Sequence, residues 1–599
     1  MNTTSPRPAA TARPLDILLV SLWSGLMAGA TLVVVLAVRR FAFNSLVYSP
    51  VDTVWMAPLG HVVAFLVPGG LLALLAAWKP RWVSLRLALG VMLFLGAWTT
   101  LLLFRQLSAL AVIVLALGIA VSTSALIARR WPAPRRWIIA SSAVVIVTVG
   151  LLVTGWIAFQ SMNVSRWARN APVPPSTAPN VLFLVLDTER ADHSSLYGYP
   201  RPTSPALDRL ASGATTFDFA IAPSSWTLAS HASFFTGRWP GSLSARWERP
   251  LDDAAPTLAE TLRDAGWNTV GISANPYFTG RATGVARGFT QYTANDPTLS
   301  QALLTVRVLQ VSLVRSLLAA RSRWEVKEAI KRFDLSPPFD TRRALWRAPD
   351  VAEAFLDWQA RHTDRPFFAF VNLFDAHEAR RLPDPWRTRF GTDERGVNRY
   401  DGAIALVDHG VSIIMDSLKA RGVLDRTVVI VTADHGEHLG EHGLVSHGNS
   451  LYLPLLRVPL VIRYPAAVPA GVRDRRIVSL RDLPATVLEL AGQPAQLPGA
   501  SLFGASLAGS PAVSELEQNT GLERNEPAAW GPMRSLVTER WQCIFRVGRA
   551  PEVFDYRADT AEAFDRSGDA EGQAALSRCR IVLDSTDAGY PDPVVMHYR

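Results

Sequence analysis

Three short apolar segments of this 599-residue chain are each followed closely by carboxylates or imidazoles. The segments are residues 180–186 (NVLFLVL), 367–373 (FFAFVNL) and 427–432 (TVVIVT). The side chains that follow them are Asp187; Asp375 and His377; and Asp434 and His435. Aspartate oxygen and histidine nitrogen together are typical ligands of divalent metal ions. The pattern therefore indicates metal chemistry, provided that the fold brings the three places together.

The surrounding sequence predicts a fold that does so. Apolar runs rich in Val, Ile and Phe alternate with segments whose apolar residues have helical spacing. We expect strands at residues 180–186, 268–274, 367–373, 427–432 and 459–464, and helices at 257–265, 351–362, 400–421 and 483–491. Continuous apolar strands separated by helices are typical of a parallel sheet covered on both faces. Ligands bind beyond the carboxyl ends of such strands, where these polar side chains lie.

Several motifs in this region, in the correct order, resemble the sulfatase family of the alkaline phosphatase superfamily. They are residues 180–211 (NVLFLVLDTERADHSSLYGYPRPTSPALDRLA), 257–277 (TLAETLRDAGWNTVGISANPY), 370–378 (FVNLFDAHE), 431–443 (VTADHGEHLGEHG), 457–465 (RVPLVIRYP) and 482–492 (DLPATVLELAG). The resemblance implies an α/β alkaline-phosphatase-like (sulfatase) domain over residues 180–503, with a mostly parallel sheet. It also implies a small C-terminal subdomain at 504–599, where residues 553–565 resemble the closing motif of the family.

The nucleophile position departs from the family pattern. In sulfatases a Cys or Ser in a C/S-x-P-S-R-x-x-x-x-T-G segment is oxidised to formylglycine. The corresponding residues 227–237 (TLASHASFFTG) put Thr227 at the nucleophile and His231 at the arginine. Oxidation of a threonine would give a ketone rather than an aldehyde, so formylglycine is not expected. The segment also predicts a helix that begins at Thr227, whose free N–H groups favour an anionic substrate.

An unmodified threonine changes the expected reaction. A threonine ester has no internal route for expelling its group and must be displaced by water or another acceptor. Phosphoryl transfer through a covalent hydroxyl intermediate works in this way. We therefore favour phosphorus over sulfur as the reacting centre. A sulfuric ester hydrolase without formylglycine is the alternative, and a non-catalytic membrane-bound binding or sensor protein is a second one.

The resemblance also implies the other members of the site. The expected metal ligands are Asp187, Thr227, Asp434 and His435. His435 stands where sulfatases often have Asn, and Thr188 replaces a second aspartate, so zinc or manganese is favoured over calcium or magnesium. His377 and His447 match positions that contact the transferred group, and either can protonate the leaving oxygen. A second metal is left open, with Glu437, Glu441 and His442 as the residues that would hold it or surround the first.

The first part of the chain predicts a membrane anchor. Five apolar stretches approach the length of ~20 residues that spans a bilayer, at residues 17–38, 56–78, 82–104, 107–128 and 137–159. They define a transmembrane domain over 1–160, followed by a linker at 161–179. Five spans before such a domain resemble the layout of lipoteichoic acid synthases and phosphoethanolamine transferases. The spans lack intramembrane carboxylates, which argues against a transporter.

Charge indicates the orientation of these spans. Of 60 basic and 51 acidic residues, 14 basic and two acidic ones lie in residues 1–170, which leaves 46 basic and 49 acidic ones for the rest. The basic pI of about 9.8 therefore belongs to the anchor, and no nucleic-acid partner is expected. A cytoplasmic N-terminus puts eight flanking basic residues inside and five outside. The inner set is Arg7, Arg13, Lys79, Arg81, Arg129, Arg130, Arg135 and Arg136, and the outer set is Arg39, Arg40, Arg105, Arg166 and Arg169.

The sequence thus predicts a multi-pass enzyme of the cell (inner or plasma) membrane with an extracytoplasmic catalytic domain. Its partners would be the lipid bilayer and an anionic ester substrate of the cell envelope, lipid-linked or glycan-linked. A basic insertion at residues 301–347 contains a stretch, 303–324, that fits either an interfacial helix or a solvated insertion. Whether Cys543 and Cys579 pair is left open, because the sequence does not give their geometry.

Overall fold

A computed structural model describes residues 12–43, 52–104, 107–131, 133–294, 302–303, 305–306, 346–392, 396–504 and 510–587. These residues form a helical unit up to Arg166, together with the few described residues between 302 and 306, and a larger α/β unit from Trp167 onward. Nearly all of the predicted basic insertion at 301–347 lies outside the described residues, as do Arg7 and Arg105.

The helical unit contains five apolar helices. They are α1 (Pro14–Phe41), α2 (Thr53–Trp78), α3 (Leu85–Leu101), α4 (Ala109–Arg129) and α5 (Ala133–Asn170). By length and composition, α1, α2, α4 and α5 can each cross a membrane, whereas α3 has 17 residues. The predicted apolar helices are confirmed, and the crossing of a membrane by any of them stays a prediction.

Helix α5 extends beyond the predicted end of the transmembrane domain. Residues 161–170, which were assigned to the linker, continue α5 as helix to Asn170. The stretch contains neither Pro nor Gly, so nothing in it interrupts the helix. The prolines that begin at Pro172 end it, because proline lacks the amide donor and restricts the residue before it.

The α/β unit is built on a nine-stranded sheet. Its strands are β1 (Asn180–Leu186), β2 (Thr215–Ile221), β3 (Asn268–Ser273), β4 (Gln291–Thr293), β5 (Phe367–Leu373), β6 (Thr427–Thr432), β9 (Arg457–Val458), β10 (Leu460–Arg463) and β11 (Val472–Ser479). Between β6 and β9, the short strands β7 (His438–Leu439) and β8 (Val445–Ser446) form a separate hairpin. The sheet order is β11-β2-β10-β6-β1-β5-β3-β4, with β9 beside β2. The mostly parallel sheet is therefore confirmed.

Strand β10 departs from the parallel pattern. It runs antiparallel to both β2 and β6, although its apolar sequence is like that of the parallel strands. Burial on both faces sets the composition of a strand but not its direction. The hydrophobic pattern therefore located β10 without giving its orientation.

The described part of the α/β unit contains eight α-helices, and the predicted ones at 257–265, 351–362, 400–421 and 483–491 and the one beginning at Thr227 are among them. They are α6 (Pro205–Ala211), α7 (Thr227–Thr236), α8 (Leu258–Asp264), α9 (Ala348–Arg361), α10 (Val397–Ala420), α11 (Leu453–Leu456), α12 (Leu483–Leu490) and α13 (Ala570–Asp587). Buried side chains of the sheet, including Phe183 and Phe370, pack against α7 and α8 in one continuous core. This core fixes α7, on which the predicted nucleophile lies.

The C-terminal part, where a small subdomain was expected, contains a small antiparallel sheet. Its strands are β12 (Ala512–Leu516), β13 (Met533–Val537), β14 (Trp541–Arg546) and β15 (Glu552–Asp555). Cys543 in β14 and Cys579 in α13 form a disulfide across 36 residues of sequence. The bond joins the last described helix to this sheet.

Candidate active site

The central strands deliver the predicted ligands to one edge of the sheet. Strand β1 pairs in parallel with β5 on one side and β6 on the other, and all of its residues are buried. Asp187 directly follows β1, and Asp434 and His435 follow β6 after one alanine. Because parallel strands end at the same edge, these three side chains converge.

Helix α7 brings Thr227 to the same place. The preceding residue, Trp226, is extended and its side chain does not cap the helix, so the helix presents its N-terminal N–H groups. The other end is fixed by Gly237, whose positive φ of 70° forms the C-cap. A Cβ at Gly237 would lie 1.9 Å from the carbonyl oxygen of Pro498, so only glycine fits. The N-terminus of α7 is therefore a buried site that favours negative charge.

The donor atoms of Asp187, Asp434 and His435 fit a divalent metal ion. One ligand atom from each of the three lies within 4.8 Å of the others. Asp187 Oδ1 and Asp434 Oδ2 are buried without a hydrogen-bond partner, which is costly for carboxylates. A cation between them would satisfy both oxygens. Oxygen and imidazole donors together suit zinc or manganese, although they do not identify the metal.

The other oxygen of each carboxylate accepts hydrogen bonds from protein groups. Asp187 Oδ2 accepts hydrogen bonds from the side-chain amides of Asn275 at 3.0 Å and Asn372 at 3.3 Å. Asp434 Oδ1 accepts from the backbone N–H groups of Thr188 and His435 at 3.1 and 3.0 Å. Such outer hydrogen bonds orient ligands and leave the facing atoms available to a metal.

His435 faces both the metal ligands and Thr227. Its Nδ1 lies 2.9 Å from the carbonyl oxygen of Gly436, to which it donates, so Nε2 carries the lone pair. That Nε2 lies 3.0 Å from Thr227 Oγ1 and 3.3 Å from Asp434 Oδ2. Burial holds the pKa of His435 well below its usual value, so the imidazole is neutral. A neutral imidazole with a fixed tautomer is the form that binds metals.

Burial also perturbs the two carboxyl groups. It raises the pKa of Asp187 to about 7, and repulsion from Asp434 adds to this effect. It raises the pKa of Asp434 to about 6, against opposing hydrogen bonds from the Thr188 and His435 backbones. Two adjacent buried carboxylates are costly without a counter-charge, which is a further sign of a cation site.

His377 and His447 lie together beside His435. The ring centroids of His435 and His447 are 4.5 Å apart, and those of His377 and His447 are 4.9 Å apart. His447 Nδ1 lies 3.1 Å from Glu437 Oε2. Burial disfavours the charged imidazole, but Glu437 outweighs it and raises the pKa of His447. The arrangement favours the charged form of His447 beside His435, and that form can donate a proton.

His231 has a different environment from the other three histidines. Its Nδ1 donates to the carbonyl oxygen of Thr227 at 2.8 Å and lies 3.6 Å from Asp434 Oδ2. Its ring packs among buried aromatic side chains, including Phe234 and Phe370. Burial lowers the pKa of His231 to about 3, so the ring is neutral. These contacts suit a residue that holds the first turn of α7 in place.

Other predicted polar residues are used elsewhere. Asp375 is buried and accepts hydrogen bonds from Arg347 and from the backbone N–H of Ala348, at the start of α9. Glu441 pairs with Arg190 at 2.6 Å, and the ring of His442 stacks on Tyr452 at 3.8 Å. Among the described residues, only the Asp187, Asp434 and His435 group could hold a metal, so a second site at Glu437, Glu441 and His442 is not formed there.

Backbone strain marks the residue after Asp187. Thr188 is buried and has a φ of 63°, a conformation that a β-branched residue rarely adopts. The conformation aims its N–H at Asp434, while its carbonyl oxygen accepts a hydrogen bond from Tyr400 at 2.6 Å. Strain of this kind clusters at functional sites, where the surrounding structure maintains it.

The sequence interpretation missed two members of the site, Asn275 and Asn372. Asn275 follows β3 and Asn372 lies within β5, so both come from the same edge as the aspartates. Their position near strand ends was a signal that could have identified them. An amide side chain does not indicate a chemical role until its hydrogen-bond partner is known. Carboxylates and imidazoles indicate metal binding or proton transfer by their type alone.

The fold and the site together define an α/β protein with a candidate metal site beside a hydroxyl at a helix N-terminus. A family model described as Sulfatase matches residues 179–493. The chain therefore belongs to the sulfatase family, and it is an enzyme of the ester hydrolase type. This confirms the resemblance stated from the motifs.

Individual proteins show the same relationship. The chain is 24% identical to an N-acetylgalactosamine-6-O-sulfatase of Bacteroides thetaiotaomicron over 383 residues, covering 53% of this chain and 74% of that protein. It is 26% identical to human arylsulfatase A over 369 residues, covering 55% of this chain and 67% of that protein. Its fold is similar to the crystal structure of a phosphonate monoester hydrolase of Agrobacterium radiobacter. That similarity has a TM-score of 0.52 and 20% identity, and covers 70% of this chain and 97% of the other.

Proposed function

We propose that this protein is a membrane-anchored, metal-dependent hydrolase or transferase that cleaves phosphate-type esters of the cell envelope through Thr227. The observation that carries the proposal is the placement of Thr227 Oγ1. It lies at the N-terminus of α7 and 3.0 Å from His435 Nε2, and His435 shares a possible metal site with Asp187 and Asp434. An unmodified hydroxyl in this place is suited to attack on phosphorus.

In this proposal, some residues of the site bind the metal ion, and others position groups or transfer protons. Asp187, Asp434 and His435, with Thr227 Oγ1, would hold the metal ion. When bound, the ion lowers the pKa of the Thr227 hydroxyl and neutralises charge on the transferred group. His231 is a positioning residue that fixes the first turn of α7 through the Thr227 carbonyl.

The proposed reaction has two displacements. Thr227 Oγ1, as the alkoxide whose proton has already passed to solvent, forms a bond to phosphorus while the bond from phosphorus to the leaving alkoxide breaks. His447, charged beside Glu437, gives its proton to that alkoxide, and His377 lies beside it to orient the group. Water or an acceptor alcohol then attacks phosphorus, gives its proton to His447 and releases Thr227.

The comparisons support ester cleavage at either centre. The relatives are named as sulfatases, and the fold is also that of a phosphonate monoester hydrolase. The replacement of the oxidisable nucleophile by Thr227 favours phosphorus. A sulfuric ester hydrolase is the alternative, and the names of the relatives favour it.

Localisation outside the cytoplasm is part of the proposal. Four apolar helices long enough to span a membrane precede the catalytic unit. The disulfide between Cys543 and Cys579 suits an oxidising compartment. The excess of basic residues at the predicted inner flanks supports the same orientation.

The test is an assay of the full-length protein with Mn²⁺ or Zn²⁺. The substrates are nitrophenyl phosphate, bis(nitrophenyl) phosphate and nitrophenyl sulfate, assayed with wild type, Thr227→Val and Thr227→Ser. We expect turnover of phosphorus esters, its loss in Thr227→Val, which keeps the shape, and partial retention in Thr227→Ser, which keeps a hydroxyl. Turnover of the sulfate alone would support the sulfatase alternative. Full activity in Thr227→Val would remove the nucleophile assignment.

A further inference from the structure

Three aromatic side chains form a wall beside the reacting centre. Trp226 immediately precedes Thr227, and its ring centroid lies 4.0 Å from that of Trp247 and 4.7 Å from that of Phe278. All three side chains are half-buried. We call the group of Trp226, Trp247 and Phe278 the aromatic wall.

The aromatic wall is built against the proposed proton donor. The ring centroids of Trp226 and His447 are 6.1 Å apart. Gly448, next to His447, has a positive φ of 69°, and a Cβ there would lie 2.6 Å from the Trp247 ring and 3.1 Å from the Trp226 ring. The tryptophan rings thus pack directly over the backbone that carries His447, which only glycine permits.

The outer tryptophan is also held rigidly. The indole Nε1 of Trp247 donates to the carbonyl oxygen of Glu517 at 3.2 Å, and its backbone N–H donates to the Glu517 carboxylate at 3.3 Å. A ring that is fixed before binding loses little side-chain entropy when a ligand stacks on it. The wall is therefore suited to contact with a flat partner.

We infer that the aromatic wall is a specificity subsite that stacks on a six-membered ring, either a pyranose or a phenyl ring, in the leaving alcohol of the ester. This rests on the proposed function, in which Thr227 attacks and His447 protonates the leaving oxygen. The carbon skeleton attached to that oxygen then extends past His447, where the wall begins. Indole faces stack on flat ring surfaces, whereas an open alkyl chain makes no such ordered contact.

Binding to an inactive protein tests the subsite separately from the chemistry. Full-length Thr227→Val protein with Mn²⁺ would be titrated calorimetrically with glucose 6-phosphate, phenyl phosphate and hexyl phosphate. The same titrations would be made after adding Trp247→Ala, Trp247→Phe or Trp530→Ala. Trp530, half exposed and stacked with Arg549, is a control outside the wall.

We expect at least one ring ester to bind about tenfold more tightly than hexyl phosphate, as stacking energies allow. Trp247→Ala should abolish that preference without changing hexyl phosphate binding, while Trp247→Phe and Trp530→Ala should largely keep it. The two ring esters show whether a sugar or an aryl ring is preferred. Equal affinity for all three esters, an equal loss for all three in Trp247→Ala, or no binding of either these phosphates or the matching sulfates would overturn the subsite.

A matched titration with phenyl sulfate and hexyl sulfate separates the two proposals. If only the sulfates bind and Trp247→Ala removes their ring preference, the phosphorus assignment fails and the subsite stands. If phosphates bind without any dependence on Trp247, the subsite fails and the phosphorus assignment is unaffected.

Discussion

At the residue scale, the orientation of the candidate metal ligand Asp187 depends on two asparagine side chains that are not themselves candidate ligands. Asn275 and Asn372 both donate to Asp187 Oδ2, which turns Oδ1 toward the site. We predict that Asn275→Ala weakens metal affinity by about 10- to 100-fold, the usual effect of losing such a partner. The measurement is metal retained after dialysis against graded chelator. Asn398→Ala, on α10 and outside the site, should retain metal like wild type, and an equal loss in both variants would contradict the role of Asn275.

A buried glutamate gives a second prediction at this scale, this time about stability. Glu562 accepts a hydrogen bond from the backbone N–H of Leu453, and burial raises its pKa to about 8. A raised folded-state pKa means that the folded protein binds more protons than the unfolded one between pH 4.5 and 8. Stability from this group is therefore fully present below its unfolded pKa and is lost as pH rises toward 8.

Glu562→Gln keeps the acceptor oxygen and removes the charge. We expect the melting temperature of wild type to fall between pH 5 and 8 by more than that of Glu562→Gln. The measurement is thermal unfolding followed across this range. Parallel pH profiles for the two proteins would show that Glu562 does not titrate as described.

Of all the features of the site, the candidate metal ligands were the easiest to recognise in the sequence. Asp187, Asp434 and His435 stand out because their types suggest metal binding and because they follow apolar runs. Asn275 and Asn372 do not stand out, since an amide acquires meaning only from the carboxylate that it faces. His231 shows the converse, because the family resemblance placed it at the arginine position but did not predict its burial among phenyl rings.

At the element scale, helices α1 and α2 pack through small residues. Gly25 and Gly29 lie four residues apart on α1, and a Cβ on Gly29 would lie 2.4 Å from Pro58 Cα. Close backbone approach of this kind is typical of helix pairs in membranes. We predict that Gly29→Ile costs about 1–3 kcal/mol through overpacking. Gly150→Ile is the matched control, because nothing lies within 4 Å of a Cβ at Gly150.

The measurement for this pair is the melting temperature of the detergent-solubilised protein, together with the yield of monodisperse material. Gly29→Ile should lower both, and Gly150→Ile should leave both near wild type. Similar losses in the two variants would mean that any bulk in this unit is harmful, and the packing argument would not hold.

The strands and helices also show which features the hydrophobic pattern predicts and which it does not. The bounds of β1, β5 and β6 agree with prediction because each is a continuous apolar run between polar residues. The antiparallel direction of β10 did not follow from its composition, and α5 continued past its apolar segment because residues 160–171 contain neither Pro nor Gly. Direction and helix ends depend on neighbours and turns, which periodicity does not describe.

At the scale of the whole molecule, the disulfide and the anchor predict one compartment. Closing a loop of 36 residues with Cys543–Cys579 should stabilise the fold by up to about 4 kcal/mol. We expect Cys543→Ala/Cys579→Ala to melt at a lower temperature, by calorimetry, and to match wild type treated with a reductant. A reductant effect that persists in the double variant would contradict this assignment.

Orientation can be measured on intact cells. A C-terminal alkaline phosphatase fusion should be active and a C-terminal green fluorescent protein fusion dark, because the proposed five-span topology with a cytoplasmic N-terminus would put the catalytic unit outside the cytoplasm. The reverse pattern would contradict the proposed topology, either because the N-terminus lies outside or because the number of crossings is even, in which case α3, the shortest of the five helices, would be the first to reconsider.

The central claim is that Thr227 forms a covalent bond to phosphorus. The most direct measurement is accurate-mass peptide mapping after acid quench of the Mn²⁺-loaded enzyme during turnover of bis(nitrophenyl) phosphate. We predict a nitrophenyl phosphate adduct on Thr227, absent from Thr227→Val. Turnover of this diester with an adduct on another residue, or undiminished turnover by Thr227→Val, would contradict the account.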